Sequence, residues 1–172
     1  MELTFAITQP NTTITMPISK ADNPGVTFKV SWTELATPTT YNTDDADYNP
    51  SNTYATAGTY KVTLNVTGGT VKHFGMTNWN GVQQLTRLSV TDTETWDLGS
   101  NGTLTHLDYL FQNAVNLTSV PTDIPYTVTS LKGLFQHDYV ADKSTITATV
   151  PWEVFGWDLT NITTLENAFN YV

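Results

Sequence analysis

The chain opens with short runs in which apolar and polar residues alternate. Leu3-Thr-Phe5-Ala-Ile7 and Ile14-Thr-Met16 do so briefly, Val26-Thr-Phe28-Lys-Val30-Ser-Trp32 and Tyr60-Lys-Val62-Thr-Leu64-Asn-Val66 at greater length. A period of two puts alternate side chains on one face of a strand, so each run predicts a strand with one buried face. Between them lie turn residues: Gln9-Pro10-Asn11, Asp22-Asn23-Pro24-Gly25, Asn49-Pro50-Ser51 and Ala57-Gly58. Short strands separated by regular turns predict a small antiparallel sandwich over residues 1–68. The stretch 37–53 is polar and carries Asp44-Asp45-Ala46-Asp47. It is expected as a long solvated loop or an irregular edge rather than a Ca²⁺ site, because its spacing lacks the twelve-residue pattern of a Ca²⁺-binding loop.

Past Gly68-Gly69 the texture changes, which places a boundary there and a second region over 69–172. Leu104-Thr-His-Leu107-Asp-Tyr-Leu110-Phe111-Gln112 aligns with Val128-Thr-Ser-Leu131-Lys-Gly-Leu134-Phe135-Gln136 and with Ile162-Thr-Thr-Leu165-Glu-Asn-Ala168-Phe169-Asn170. Trp96-Asp97-Leu98 and Trp157-Asp158-Leu159 precede the first and third copies, and Val82-Gln-Gln-Leu85-Thr-Arg-Leu88 reads as a degenerate one. The copies start about 24 and 34 residues apart, a spacing used by repeat architectures. The Leu-x-x-(Leu/Ala)-Phe core is expected to form a short helical turn with one apolar face. Asn116-Leu117-Thr-Ser-Val120-Pro121 would supply a short strand of the same unit. Such a unit must stack on neighbours to bury that face.

Composition narrows the picture. Only 13% of the 172 residues are charged, against roughly 25% in a usual soluble domain. Thr and Asn supply the remaining polarity, and β-branched Thr suits a pleated surface. The net charge is −9, with scattered Lys and Arg, which argues against a nucleic-acid partner because phosphate binding needs clustered positive charge. The chain has no cysteine, which excludes disulfides and thiolate metal sites. Met1-Glu-Leu-Thr-Phe5 has neither the basic nor the apolar part of a secretory leader, and no run approaches the ~20 apolar residues of a membrane span. With Met1 as the true start, the expectation is a chain made in the cytoplasm that reaches a surface by assembly, with no membrane insertion.

The repeats resemble the BspA-like leucine-rich repeats of bacterial and phage surface proteins, whose units read like Trp-Asp-Thr-Ser-Asn-Val-Thr-x-Met-x-x-Met-Phe. The run from Trp157 through Asn161, Ile162 and Leu165 to Phe169 carries the likeness. Tyr54-Ala-Thr-Ala-Gly58-Thr-Tyr60-Lys-Val62-Thr-Leu64 is similar to the His-x-Tyr-x-x-x-Gly-x-Tyr-x-Val stretch of PKD-type Ig-like domains. Val30-Ser31-Trp32 falls where that family has Val-Asp-Trp, although Thr33-Glu34-Leu35 replaces its Gly-Asp-Gly and Asn52 its His. The resemblance implies a mainly β chain with short helices: a PKD-like sandwich over 1–68, then a short leucine-rich-repeat solenoid over 69–172. It also implies a surface-displayed module without catalysis or cofactor, used for attachment or protein contact.

Catalytic chemistry finds few candidates. His73, His106 and His137 are the only histidines, and no Gly-x-Ser-x-Gly elbow, His-Glu-x-x-His helix or phosphate loop occurs. Surface or packing histidines are expected, and no enzyme. Asp92, Glu94 and Asp97 beside Trp96 offer carboxylates next to an aromatic, the ingredients of a sugar site, but polar edge positions around an inward Trp96 are the expectation. Trp79 and Trp152 sit beside turn residues without an evident core, and aromatics are enriched at interface centres. The run Asn167-Ala-Phe169-Asn-Tyr171-Val172 stops in mid-repeat, and an uncapped repeat exposes apolar surface. Trp79, Trp152, Phe169, Tyr171 and Val172 are therefore the expected interface residues. The expected partner is the chain itself, a major structural subunit or another virion or surface protein. The expected setting is a phage virion surface, as capsid decoration or as part of a tail or fibre. The alternative is a fragment of a bacterial cell-surface adhesin that binds a host protein or a glycan.

Overall fold

The computed structural model describes residues 1–36, 40–44, 49–98, 103–138 and 150–172. The chain is mainly β, consistent with a β-sandwich. Seven strands are described: β1 (Glu2–Ile7), β2 (Thr12–Thr15), β3 (Thr27–Glu34), β4 (Thr40–Asp44), β5 (Ser51–Tyr54), β6 (Gly58–Gly68) and β7 (Leu85–Ser89). Five form an antiparallel sheet in the order β4-β3-β6-β1-β7, and β2 pairs with β5 in a second.

The alternating runs become the central strands. Leu3, Phe5 and Ile7 of β1, Phe28, Val30 and Trp32 of β3, and Tyr60, Val62 and Leu64 of β6 point into one core. β4 and most of β5 fall in the stretch 37–53, expected as a long loop or irregular edge. The loop alternative is corrected there: β4 is a regular edge strand that pairs with β3 and needs no alternating apolar pattern, and β5 pairs with β2. The acidic cluster considered for Ca²⁺ begins at the end of β4, and Asp45 and Asp47 lie outside the described residues.

β6 ends at Gly68, yet the sheet takes its last strand from further along the chain. β7, with the 3-10 turn Val82–Gln84 before it, occupies the segment expected as a degenerate repeat. It runs antiparallel to β1 on one side. On the other it bridges in parallel to Ser119, with the Leu88 N–H donating to the Ser119 carbonyl at 3.1 Å. The strand foreseen at 116–121 is this single-bridge contact. A continuous set of buried residues runs from Met1 to Trp157.

The three aligned copies stack in parallel. His106, Ser130 and Thr164 bridge in succession, and His73 bridges to His106 ahead of them. Val71-Lys-His-Phe74 therefore lies in the same stack, one coil earlier than the sequence pattern indicates. The backbone ladder is regular. The N–H groups of Phe74, Leu107 and Leu131 donate to the carbonyls of His106, Ser130 and Thr164 at 3.0, 3.0 and 3.1 Å. In return, the N–H groups of His106, Ser130 and Thr164 donate to the carbonyls of Lys72, Thr105 and Thr129. Phe111 and Phe135 stack in the interior with ring centroids 5.3 Å apart, and Phe169 continues the row at 5.8 Å from Phe135, partly exposed.

The Leu-x-x-(Leu/Ala)-Phe segments are not helical turns. Tyr109, Gly133 and Asn167, at one alignment position, all have left-handed φ near +60° (60°, 59° and 56°), which breaks a helix and forms a tight corner. Gly133 is required there for a second reason, because a Cβ would lie 2.4 Å from the Tyr109 ring.

Asn23 closes the head of the stack. It is fully buried; its Oδ1 accepts the N–H groups of Lys72 and His73 at 2.7 and 2.9 Å, and its Nδ2 donates to the carbonyls of His73 and Ser19 at 2.8 Å each. Asn23→Ala strands these groups in a dry site, and each unsatisfied buried group costs about 1–3 kcal/mol. Urea denaturation is expected to show a loss of about 3 kcal/mol or more. A loss under ~0.5 kcal/mol, the range of an ordinary surface change, would deny Asn23 this role.

Candidate interaction surfaces

Trp79, expected at an interface, is core: it is 2% exposed, meets Phe5 edge to face at 6.2 Å and donates its indole N–H to the Leu110 carbonyl at 2.9 Å. The turn residues around it lead the ring inward, onto the seam between β1 and the stack. The three histidines pack as well. His73 and His106 occupy equivalent coil positions with rings stacked 5.5 Å apart. His137 is buried, and that burial lowers its imidazole pKa against the opposing pull of the Asp138 carboxylate.

The carboxylates near Trp96 are engaged internally. Trp96 is fully buried, donates to the Asp123 carbonyl at 2.9 Å and meets Trp157 edge-on. Asp97 accepts hydrogen bonds from the Thr91 N–H, the Thr91 hydroxyl and the Asp92 N–H, and lies 3.2 Å from the Met1 amino group. Asp92 binds the Glu94 N–H and the Thr95 hydroxyl. This arrangement is a structural knot with no exposed ring for a sugar to stack on.

Two surfaces remain. The first is the coil 162–172. Leu165, Phe169, Tyr171 and Val172 are exposed there, although Leu107, Leu131, Phe111 and Phe135 at equivalent positions are buried. The N–H groups of Leu165, Asn167 and Phe169 meet no backbone acceptor among the described residues. In the preceding coils the matching N–H groups of Leu131, Gly133 and Phe135 donate to Thr164, Glu166 and Ala168.

The second is a groove of ≈ 270 Å³ between β7, the segment 119–122 and the 3-10 turn Trp152–Gly156. No residue of the coil 162–172 lines it. Trp152, nominated from the sequence, stands beside it 73% exposed. Two groove residues were missed by sequence reading. Arg87 is an exposed residue of β7, and Glu153 is only 7% exposed. The Glu153 Oε1 accepts the Ser119 hydroxyl at 2.8 Å, and its Oε2 is buried without a partner among the described residues. Nothing in the sequence around Glu153 marks it, because its burial comes from a segment more than thirty residues away. Among the described residues no group of acidic or histidine side chains is placed to hold a metal ion, and no helix is long and apolar enough to cross a membrane.

Compared with protein-family models, the curated proteins and the solved structures, the chain matches none.

Asp97 carries a pH prediction. Burial raises its pKa, but the Thr91 hydrogen bonds and the Met1 ammonium together outweigh that, and the net shift is downward from 3.8. A depressed carboxyl pKa stabilises the fold above the unfolded value, and the contribution disappears as pH falls through the folded value. The stability gap between wild type and Asp97→Asn is therefore expected to be full at pH 7 and to close below about pH 4. Thermal melts across that range check it; a gap that widens on acidification would contradict the assignment.

Proposed function

We propose that the chain is a non-enzymatic structural and interaction protein displayed on a surface. Its first part is read as a PKD-like, Ig-like sandwich and its second as a short solenoid of BspA-like leucine-rich repeats. Its place is a phage virion, as capsid decoration or in a tail or fibre, where it works through protein–protein contacts. The observation that carries the contact reading is the coil 162–172, which combines exposed apolar side chains with backbone donors that meet no backbone acceptor.

The hydrogen-bonding sense of that edge constrains its partner. By analogy with the earlier coils it offers the N–H groups of Leu165, Asn167 and Phe169 against the single carbonyl of Thr163. Two such edges related by a two-fold axis would set donor against donor, which desolvates them without return. A complementary edge is rich in carbonyls, like the face that each coil turns toward the one before it. The contact is therefore heterologous, with Phe169 extending the phenylalanine stack into the partner.

Mass spectrometry and imaging of the native source test the placement, and the chain is expected in a particle fraction. Phe169→Asp charges an exposed ring position and is expected to cut incorporation about tenfold or more while leaving the circular dichroism spectrum unchanged. Recovery only as free chain, or full incorporation of the variant, would reject the reading.

A further inference from the structure

We infer that the groove beside Trp152 is a binding site for a neutral carbohydrate. It lies on a different surface from the coil 162–172 and does not depend on the virion reading. Three features of the groove select the ligand class.

The first is the indole. Trp32, Trp79, Trp96 and Trp157 are all buried, so Trp152 is the one exposed tryptophan of the five. The exposed flat ring stands at a groove whose wall mixes apolar residues, such as Val90 and Pro121, with hydroxyls. It suits a ligand with a flat C–H face, as a pyranose has. The second is Glu153. A buried carboxylate oxygen without a donor is costly, and here Ser119 satisfies only the other oxygen. A ligand hydroxyl entering the groove supplies the missing donor. The third is Arg87, which lines the same groove.

The two charges together exclude the alternatives. A cationic ligand drawn to Glu153 meets the Arg87 guanidinium, and an anionic one drawn to Arg87 meets the Glu153 carboxylate. A hydroxyl both donates and accepts, so neighbouring hydroxyls of one sugar satisfy the two groups at once. Thr93, Ser119 and Thr122 add hydroxyls to the wall. The volume, ≈ 270 Å³, holds one or two sugar rings rather than a long chain. The groove is read as binding only: it is lined by one carboxylate and one guanidinium, whereas glycoside hydrolysis uses two carboxyl groups.

Trp152 is its own reporter. The intact chain is titrated with methyl glycosides of glucose, galactose, mannose and N-acetylglucosamine and their β- and α-linked disaccharides, with sialyllactose and a sulfated disaccharide as anionic controls. The expected result is a saturable blue shift of tryptophan emission with at least one neutral sugar, confirmed by calorimetry. Trp152→Ala, at an exposed position where folding is not at stake, is expected to weaken binding at least tenfold. Glu153→Gln is expected to weaken it about tenfold, as the loss of one charge-assisted hydrogen bond does. Three results overturn the inference: no saturable binding by any neutral sugar, binding to the anionic controls alone, or binding that survives Trp152→Ala. Occupation of the groove by a protein partner, with the sugars inert, overturns it too.

Discussion

The stack of coils depends on what its first member rests against. Every later coil hangs its two paired N–H groups on a peptide carbonyl of the coil before: Thr105 and His106 on Lys72, Thr129 and Ser130 on Thr105, Thr163 and Thr164 on Thr129. Lys72 and His73 have no earlier coil, and the carboxamide of Asn23 takes its place. Oδ1 receives both N–H groups as a carbonyl would, and Nδ2 reaches the His73 carbonyl as the Phe74 N–H reaches that of His106. One side chain thus imitates a peptide group. Because Asn23 lies in the loop before β3, the cap also binds the strands and the coils into one body. Backbone groups this deeply buried must be paired, so the position tolerates few substitutes.

A second junction repeats the logic in backbone alone. β7 takes antiparallel β1 on one edge and a parallel bridge from Ser119 on the other. The Thr86 carbonyl accepts both the N–H and the hydroxyl of Thr118, and the Thr86 hydroxyl reaches the Thr4 carbonyl. Threonine recurs at these seams, with Thr105, Thr118, Thr129 and Thr163 each donating a hydroxyl to a backbone carbonyl that already pairs their chain. The low charge content follows. The polar work of this protein is done by hydroxyl and amide groups close to the backbone, and few long charged side chains are needed.

How much of this was legible depended on whether a residue's role is set by its neighbours in sequence. The alternation around Phe5, Val30 and Val62 marked β1, β3 and β6, because a half-buried strand writes its face into its own residues. β4 is legible only as a loop or irregular edge and β5 not at all, because edge and small-sheet strands are held by backbone pairing. The corner at Tyr109, Gly133 and Asn167 was readable in principle, since glycine and asparagine are the residues that accept left-handed φ, but Tyr109 concealed the position. The coil at Val71 was missed because it lacks the Leu-Phe pair. Trp79 was misplaced for a different reason: its partners, Phe5 and Leu110, come from far along the chain. Glu153 shares that blindness, as its side chain's hydrogen-bonding partner among the described residues is Ser119.

The capped head gives the stack a direction. The head of the first coil is already engaged within the chain: the Asn23 Nδ2 donates to the His73 carbonyl, and its Oδ1 accepts the N–H groups of Lys72 and His73. The two ends of the stack are therefore unlike: the head is closed by a side chain, whereas at the coil 162–172 the N–H groups of Leu165, Asn167 and Phe169 meet no backbone acceptor among the described residues. The polarity of the whole row is thus written into one carboxamide, from which every later peptide group takes its direction.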